Sequence, residues 1–148
     1  MPARIDNALV FSSAQPITAT APSTNTIDLY DIMHRLGQSA RKLYVTVECV
    51  ATFNNLTSLG VTLQDSADNA TFSATELTGT FTLASGALAA GILIMRAPLP
   101  TTGIAGTPYP YGYPGPGPTA IRRYIGLEYS VTGTAPTTGE VTSFLEVG

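Results

Sequence analysis

The chain of 148 residues holds one histidine, His34, and one cysteine, Cys49, so imidazole or thiol chemistry would have to run through those two side chains. Acyl transfer needs a nucleophile, a base beside it and a third group to orient the base. His34 lies in "DLYDIMHRLGQ", and the chain contains no G-x-S-x-G elbow that would present a serine to it. With no second histidine and no acid at the H-E-x-x-H spacing, His34 reads as a helix-face or loop residue and not as a metal ligand or general base. Cys49 sits in the alternating run "LYVTVECV". Alone it cannot form an internal disulfide, and it reads as a small buried hydrophobe.

The ten carboxylates are dispersed, about one per strand or turn, and no two are marked as the facing pair that glycoside hydrolysis requires. The segment "DSADNATFS" at 65–73 has two of them, but lacks the central glycine and closing glutamate of an EF-hand loop, and reads as a plain turn. The glycines at 112–117 neither follow a strand nor open a helix, and no lysine follows them, which argues against a phosphate-binding loop. The sequons at Asn55 and Asn69 would matter only in a secretory pathway. The expectation is a non-enzymatic protein with no catalytic residue, no cofactor, no metal site and no small-molecule substrate.

If chemistry is absent, contact must be the business of the chain, and the composition agrees. Charged residues are 11% of the total, under half the usual share of roughly 25%, while hydrophobic residues are 44%. So few charges leave wide neutral surface, for which the simplest remedy is cover by other chains. The net charge is −3 and only Arg41–Lys42 and Arg122–Arg123 are adjacent cations, so no basic stripe suits nucleic acid. The opening "MPARIDNALVFSS" has no apolar h-region and no stretch reaches 18 apolar residues, so neither export by a signal peptide nor a membrane span is expected.

One domain is expected over residues 1–148. Period-two alternation places Leu43, Val45, Val47 and Cys49 on one side of a strand. The same pattern groups Leu59, Val61 and Leu63; Phe81 and Leu83; Ile125, Leu127, Tyr129 and Val131; and Val141, Ser143, Leu145 and Val147. Short strands between Gly, Asn, Asp, Ser and Pro clusters indicate an all-β sandwich or barrel. "AAGILIMRAP" reads as a strand buried on both faces and stopped by Pro98 and Pro100. A single short helix is expected in residues 28–38, capped by Asp28 and ended by Gly37. The echo between "TATAPSTNTI" at 18–27 and "TGTAPTTGEV" at 132–141 reads as two hairpins with shared turn chemistry.

The run "TPYPYGYPGPGP" at 107–118 interrupts this pattern between two strands, so residues 101–119 are expected to form an extended loop or arm within the domain. Polyproline-like geometry at about 3.1 Å per residue would let it project roughly 18 Å. Tyr109, Tyr111, Tyr113, Pro114 and Pro116 are the expected partner-contact residues, since tyrosines offer large contact area for little entropy.

Four segments, "LVFSSAQPITATAPSTNTIDL", "KLYVTVECV", "VTLQDSADNATFS" and "RRYIGLEYSVTGTAPTTGEVTSFL", together resemble the small capsid cement, or decoration, proteins of tailed bacteriophages. The resemblance runs in order from about residue 9 to 147, and its most specific parts are the opening and closing segments. It implies a jelly-roll-like antiparallel β-sandwich on the outer surface of the phage head, commonly a homotrimer, that clamps neighbouring major capsid protein subunits. It also implies a virion protein made in the host cytoplasm, without substrate or cofactor. Two stretches depart from the family pattern: "YDIMHRLGQSARK" and "PLPTTGIAGTPYPYGYPGPGPTAI" lengthen connections that are usually short. The alternative reading is a receptor- or carbohydrate-binding β-sandwich of a phage tail or fibre, for which displayed tyrosines are equally suited.

Overall fold

The computed structural model describes residues 9–29, 43–99 and 123–147, and all observations below concern these. Nine strands form two antiparallel sheets. In the first, β1 (Val10–Pro16), β9 (Glu140–Val147), β4 (Leu43–Ala51) and β7 (Leu93–Pro98) lie side by side in that order. In the second the order is β2 (Ala21–Pro22), β8 (Tyr124–Gly133), β5 (Leu56–Ser66) and β6 (Ser73–Thr82), with β3 (Ile27–Asp28) also pairing with β8.

β2 and β3 are two halves of one strand. Pro22 faces Glu128 and Ile27 faces Ile125, so the four residues 23–26 stand opposite only Gly126 and Leu127. Ser23 bridges the interruption: its N–H donates to the Leu127 carbonyl at 2.7 Å, and its hydroxyl accepts from the Leu127 N–H at 3.0 Å. Counting this pair once leaves eight strands in two four-stranded sheets, with the order of a jelly roll. Only β5 and β6 are joined within one sheet.

That topology corrects the reading of the two T-x-T-A-P segments as hairpins. The first carries the chain from β1 in the first sheet to β2 and β3 in the second, and the other carries it back from β8 to β9. The edges that hairpins would use are already taken: β8 lies between β2 and β5, and β9 between β1 and β4. Proline with small hydroxyl residues turns a chain equally well at a sheet-switching corner. The two corners are tied where the Ile17 N–H donates to the Gly139 carbonyl at 3.0 Å. The expected turn at 65–73 is the true hairpin, pairing Asp65 with Ser73.

"AAGILIMRAP" is corrected as well. It yields β7, an edge strand with Leu93 51% and Ile92 42% exposed. A continuous apolar run does not by itself distinguish a central strand from an edge whose outer side lacks a neighbour.

The core matches the alternation. Leu43, Val45, Val47, Cys49, Leu59, Val61, Leu63, Ile125, Leu127, Tyr129, Val141 and Leu145 are buried between the sheets, and Phe81, Leu83 and Val131 pack against them half-buried. Tyr129 on β8 reaches across the core with its hydroxyl 2.8 Å from Ser12 Oγ on β1 and 2.6 Å from Ser143 Oγ on β9. Ser12 donates to Gln15 Oε1 at 2.6 Å, so Tyr129 donates to Ser12 and Ser143 donates to Tyr129. Gln15 continues the chain of bonds to the corner, accepting from the Thr24 N–H and donating to the Pro22 carbonyl, both at 2.9 Å. A polar seam thus joins the sheets and fixes the interrupted strand.

The loops sort to two ends. At one, Asn54 Oδ1 accepts from the Thr137 and Thr138 N–H groups, and Phe53 N–H donates to Leu88 O, knitting residues 52–55, 83–92 and 134–139. Gly139 has φ +137°, and the Phe53 ring occupies the space a side chain there would need. At the other end Leu99 N–H donates to Leu43 O and Leu29 N–H to Arg123 O, each at 2.8 Å. The chain therefore passes out of the described residues after Leu29 and Leu99, and returns at Leu43 and Arg123, at one end of the sandwich. The helix expected from Asp28 onward, with His34, lies outside the described residues beyond Leu29.

Candidate interaction surface

The arm residues Tyr109, Tyr111, Tyr113, Pro114 and Pro116 lie outside the described residues, so the surface is built from the sheets. The reactive side chains that can be followed are engaged internally. The Cys49 thiol is buried, donates to Ala51 O at 3.1 Å, and has its pKa raised by that burial. Burial likewise raises the Tyr129 phenol, against the opposing effect of its two serine partners. Asp65 is buried beneath the hairpin whereas Asp68 caps it from outside, accepting from Thr71 and Ala70 N–H groups at 3.0 Å and from Ser66 Oγ at 2.8 Å. Those bonds hold its carboxyl down at about 2. Among the described residues no group of three His, Cys, Asp or Glu could hold a metal ion.

The outward face of the first sheet holds an internally bonded set of long side chains, with Glu48, Val50 and Leu93 exposed beside it. Register aligns Val10, Phe144, Thr46 and Arg96 in one row and Glu146, Tyr44 and Pro98 in the next. Arg96 Nε lies 2.6 Å from Glu146 Oε1, and its guanidinium stacks 4.0 Å above the Tyr44 ring. The buried Thr46 hydroxyl also donates to Glu146 Oε1, at 2.6 Å. That hydroxyl first, and Arg96 second, hold the Glu146 carboxyl below its ordinary range.

The outward face of the second sheet is built differently. Its rows are Pro22, Glu128, Thr62 and Thr78; then Ser130, Gly60 and Thr80; then Thr132, Ser58 and Thr82. Apart from Glu128 these are short side chains on a paired backbone, and Thr62 and Thr78 share a hydroxyl–hydroxyl bond at 2.9 Å. None of β2, β5, β6 and β8 contains a lysine or arginine. Where β8 passes the interrupted strand, Gly126 leaves a shallow depression walled by Pro22, Thr26, Phe72 and Leu127.

The Bbp16 family model matches residues 11–145. The chain belongs to the Bbp16 family. That family is phage-related, and no curated protein matches the chain. In this family member the matched segment spans both sheets nearly end to end, from the second residue of β1 to the sixth of β9.

The threonine rows of the Bbp16 sandwich are legible as the T-x-T-x-T of residues 78–82. The depression is not, because Pro22, Phe72 and Gly126 come from three segments and Phe72 has the sequence context of a turn. What the second face offers is a broad platform of hydroxyls and glycines without lysine or arginine, with a carboxylate at Glu128 and a concave site beside Gly126. Such a platform can dock a partner with few charges to desolvate and little rotamer freedom to lose.

Proposed function

We propose that this Bbp16-family protein is a non-enzymatic virion component that binds the outer surface of a phage capsid and cements neighbouring major capsid subunits. In this reading it acts as a homotrimer and is made in the host cytoplasm before it joins the head. The observation that carries the reading is the second sheet's outward face, four strands wide, free of cations and paved with threonine, serine and glycine. A modest patch of this kind, roughly 800 Å² per partner, need not bind tightly alone. Several patches on one trimer raise the effective concentration of each other, so weak contacts sum to a firm clamp. The phage-related family supports the setting.

Residues 101–119 enter the proposal as an arm onto a sister subunit or the coat protein. Deleting 107–118 should lower trimer formation or capsid occupancy; unchanged values for both would remove the arm from the account. The central experiment is the copy number and position of the protein in purified particles. Hundreds of copies across the head are expected. A handful at the tail would instead favour a receptor- or carbohydrate-binding module.

A further inference from the structure

We infer that the depression beside the interrupted strand is a socket for a lysine or arginine side chain of the docked protein partner, an inference that rests on the capsid-binding reading. Its shape follows from two backbone facts. Ser23 stays bonded to Leu127 while residues 24–26 form no ladder pair with β8, and Gly126 opposite them carries no side chain to fill the gap. A Cβ placed at 126 would stand 3.5 Å from Thr26 Cγ2 and 3.7 Å from both Phe72 and Ser23 Oγ, within the depression itself. The resulting space is about 40 Å³, room for the end of an aliphatic chain.

Its chemistry is two-layered. The interior is apolar, since Ser23 Oγ already accepts from Leu127 N–H and donates to Asn25 O at 2.8 Å. The rim is acidic. Gln64, which lines the site, donates to Glu128 Oε2 over a long 3.4 Å, leaving that carboxylate able to take a stronger donor. On the other side Thr26 bonds Asn69 at 2.8 Å, whose chain neighbour Asp68 is exposed and accepts from Ser66, Ala70 and Thr71 of its own turn.

The wider charge balance points the same way. The chain as a whole holds ten carboxylates and seven cations, and none of β2, β3, β5, β6 and β8 contains a lysine or arginine. Arg96 is paired to Glu146 on the opposite face, and Arg123 grips Asp28 through Nε and Nη2 at 2.9 and 2.8 Å. An apolar pit with an anionic rim fits a side chain that buries methylenes and keeps a cation at the surface. It does not fit a polyanion.

The test is rebinding of purified protein to purified heads that lack it, with salt as a variable. Gly126→Ala introduces contacts at ordinary van der Waals distance, so the variant should fold and melt as the parent does. It should nevertheless lose at least tenfold in affinity. Glu128→Gln should lose severalfold and flatten the salt dependence, because an ion pair at the rim has been removed. If Gly126→Ala proves unstable, Glu128→Gln decides alone. Parent-like binding by both variants overturns the socket and leaves the capsid reading standing. Loss on Gly126→Ala with a salt response unaltered by Glu128→Gln overturns the basic ligand. Failure of the parent protein to bind heads overturns the capsid reading, and the socket with it.

Discussion

The two outward faces of the sandwich arise from the same alternation and end in opposite states. On the first sheet, long side chains meet one another: Arg96 stacks on Tyr44, bonds Glu146, and the pair covers Thr46. On the second, Thr62, Thr78, Thr80 and Ser130 are too short to reach far beyond their own rows, and Gly60 offers only backbone. Where Arg96 and Glu146 pair within the subunit little is left for a partner, although Glu48 and Leu93 stay exposed beside them. A face that keeps its side chains short remains flat and unspent. Alternation decides which residues point out, but side-chain length decides whether they bond one another or stay available.

The largest effect should come from charging the available face. Thr80 is exposed in the row of Gly60 and Ser130, which holds no carboxylate, so Thr80→Lys would place an unpaired ammonium in the docked surface. Stranding a charge in a buried interface costs roughly 3–5 kcal/mol, on the order of a hundredfold or more in capsid affinity. Glu48→Lys on the first sheet changes charge by more and should alter binding less than threefold. Both are surface changes expected to leave stability within about 0.5 kcal/mol. Head-rebinding assays that rank the two variants the other way would assign docking to the first face.

The seam that holds the faces in register comes next. Tyr129→Phe removes the hydroxyl between Ser12 and Ser143 and leaves the buried Ser143 hydroxyl without its acceptor. The expected cost is about 1–3 kcal/mol, seen as a fall in melting temperature of several degrees. Ser143→Ala should cost less, because Tyr129 keeps its bond to Ser12. The double variant should be less destabilised than the sum of the two, since both act on one network. Additive costs would mean the bonds are independent.

This seam marks the limit of what the sequence makes legible. Tyr129 and Ser143 were expected on inward faces of their strands from period alone, and both are there. That they meet, with Ser12, depends on sheets whose members are over a hundred residues apart in the chain. The same reason explains the misread corners. Pro and Thr at 18–22 and 132–136 announce a change of direction, but whether the chain returns to its own sheet depends on which edges are occupied, and local turn chemistry carries no record of that. β7 was misread because a run of apolar residues has no periodicity to reveal an edge. The hydroxyl platform was visible as composition, and the socket was invisible because an interruption between β2 and β3 created it.

A smaller effect should come from opening the bonded set on the first face. Arg96 and Glu146 are 41% and 36% exposed, so solvent screens much of their attraction. A double-mutant cycle with Arg96→Ala and Glu146→Gln should give about 0.2–1 kcal/mol of coupling. Glu146 titrates lower in the folded chain than in the unfolded one, where glutamate lies near 4.3. Its contribution is thus complete above that value and is lost as pH falls through the lowered one. Unfolding curves from pH 6 to 3 should show the parent and Arg96→Ala converging toward the acid end. A constant gap would mean that Arg96 acts through Tyr44 and not through Glu146.

The finest distinction concerns the charge at the edge of the available face. The Asp68 carboxyl, fully exposed, is held at about 2 by the Thr71 and Ala70 amides and by Ser66. Because unfolded aspartate titrates near 3.9, the turn should keep its bonds above that value and lose them as pH falls toward 2. The Ala70 and Thr71 amide resonances should follow one titration with that low midpoint, and a midpoint near 4 would show that the bonds do not form in solution. Asp68→Asn retains an acceptor oxygen for both amides and removes the charge, whereas Asp68→Ala removes both. If the acidic rim attracts the partner, the two variants should lose head affinity equally, by a factor of a few at low salt. If instead the hairpin's shape is what the partner meets, Asp68→Asn should bind as the parent does and only Asp68→Ala should fall away.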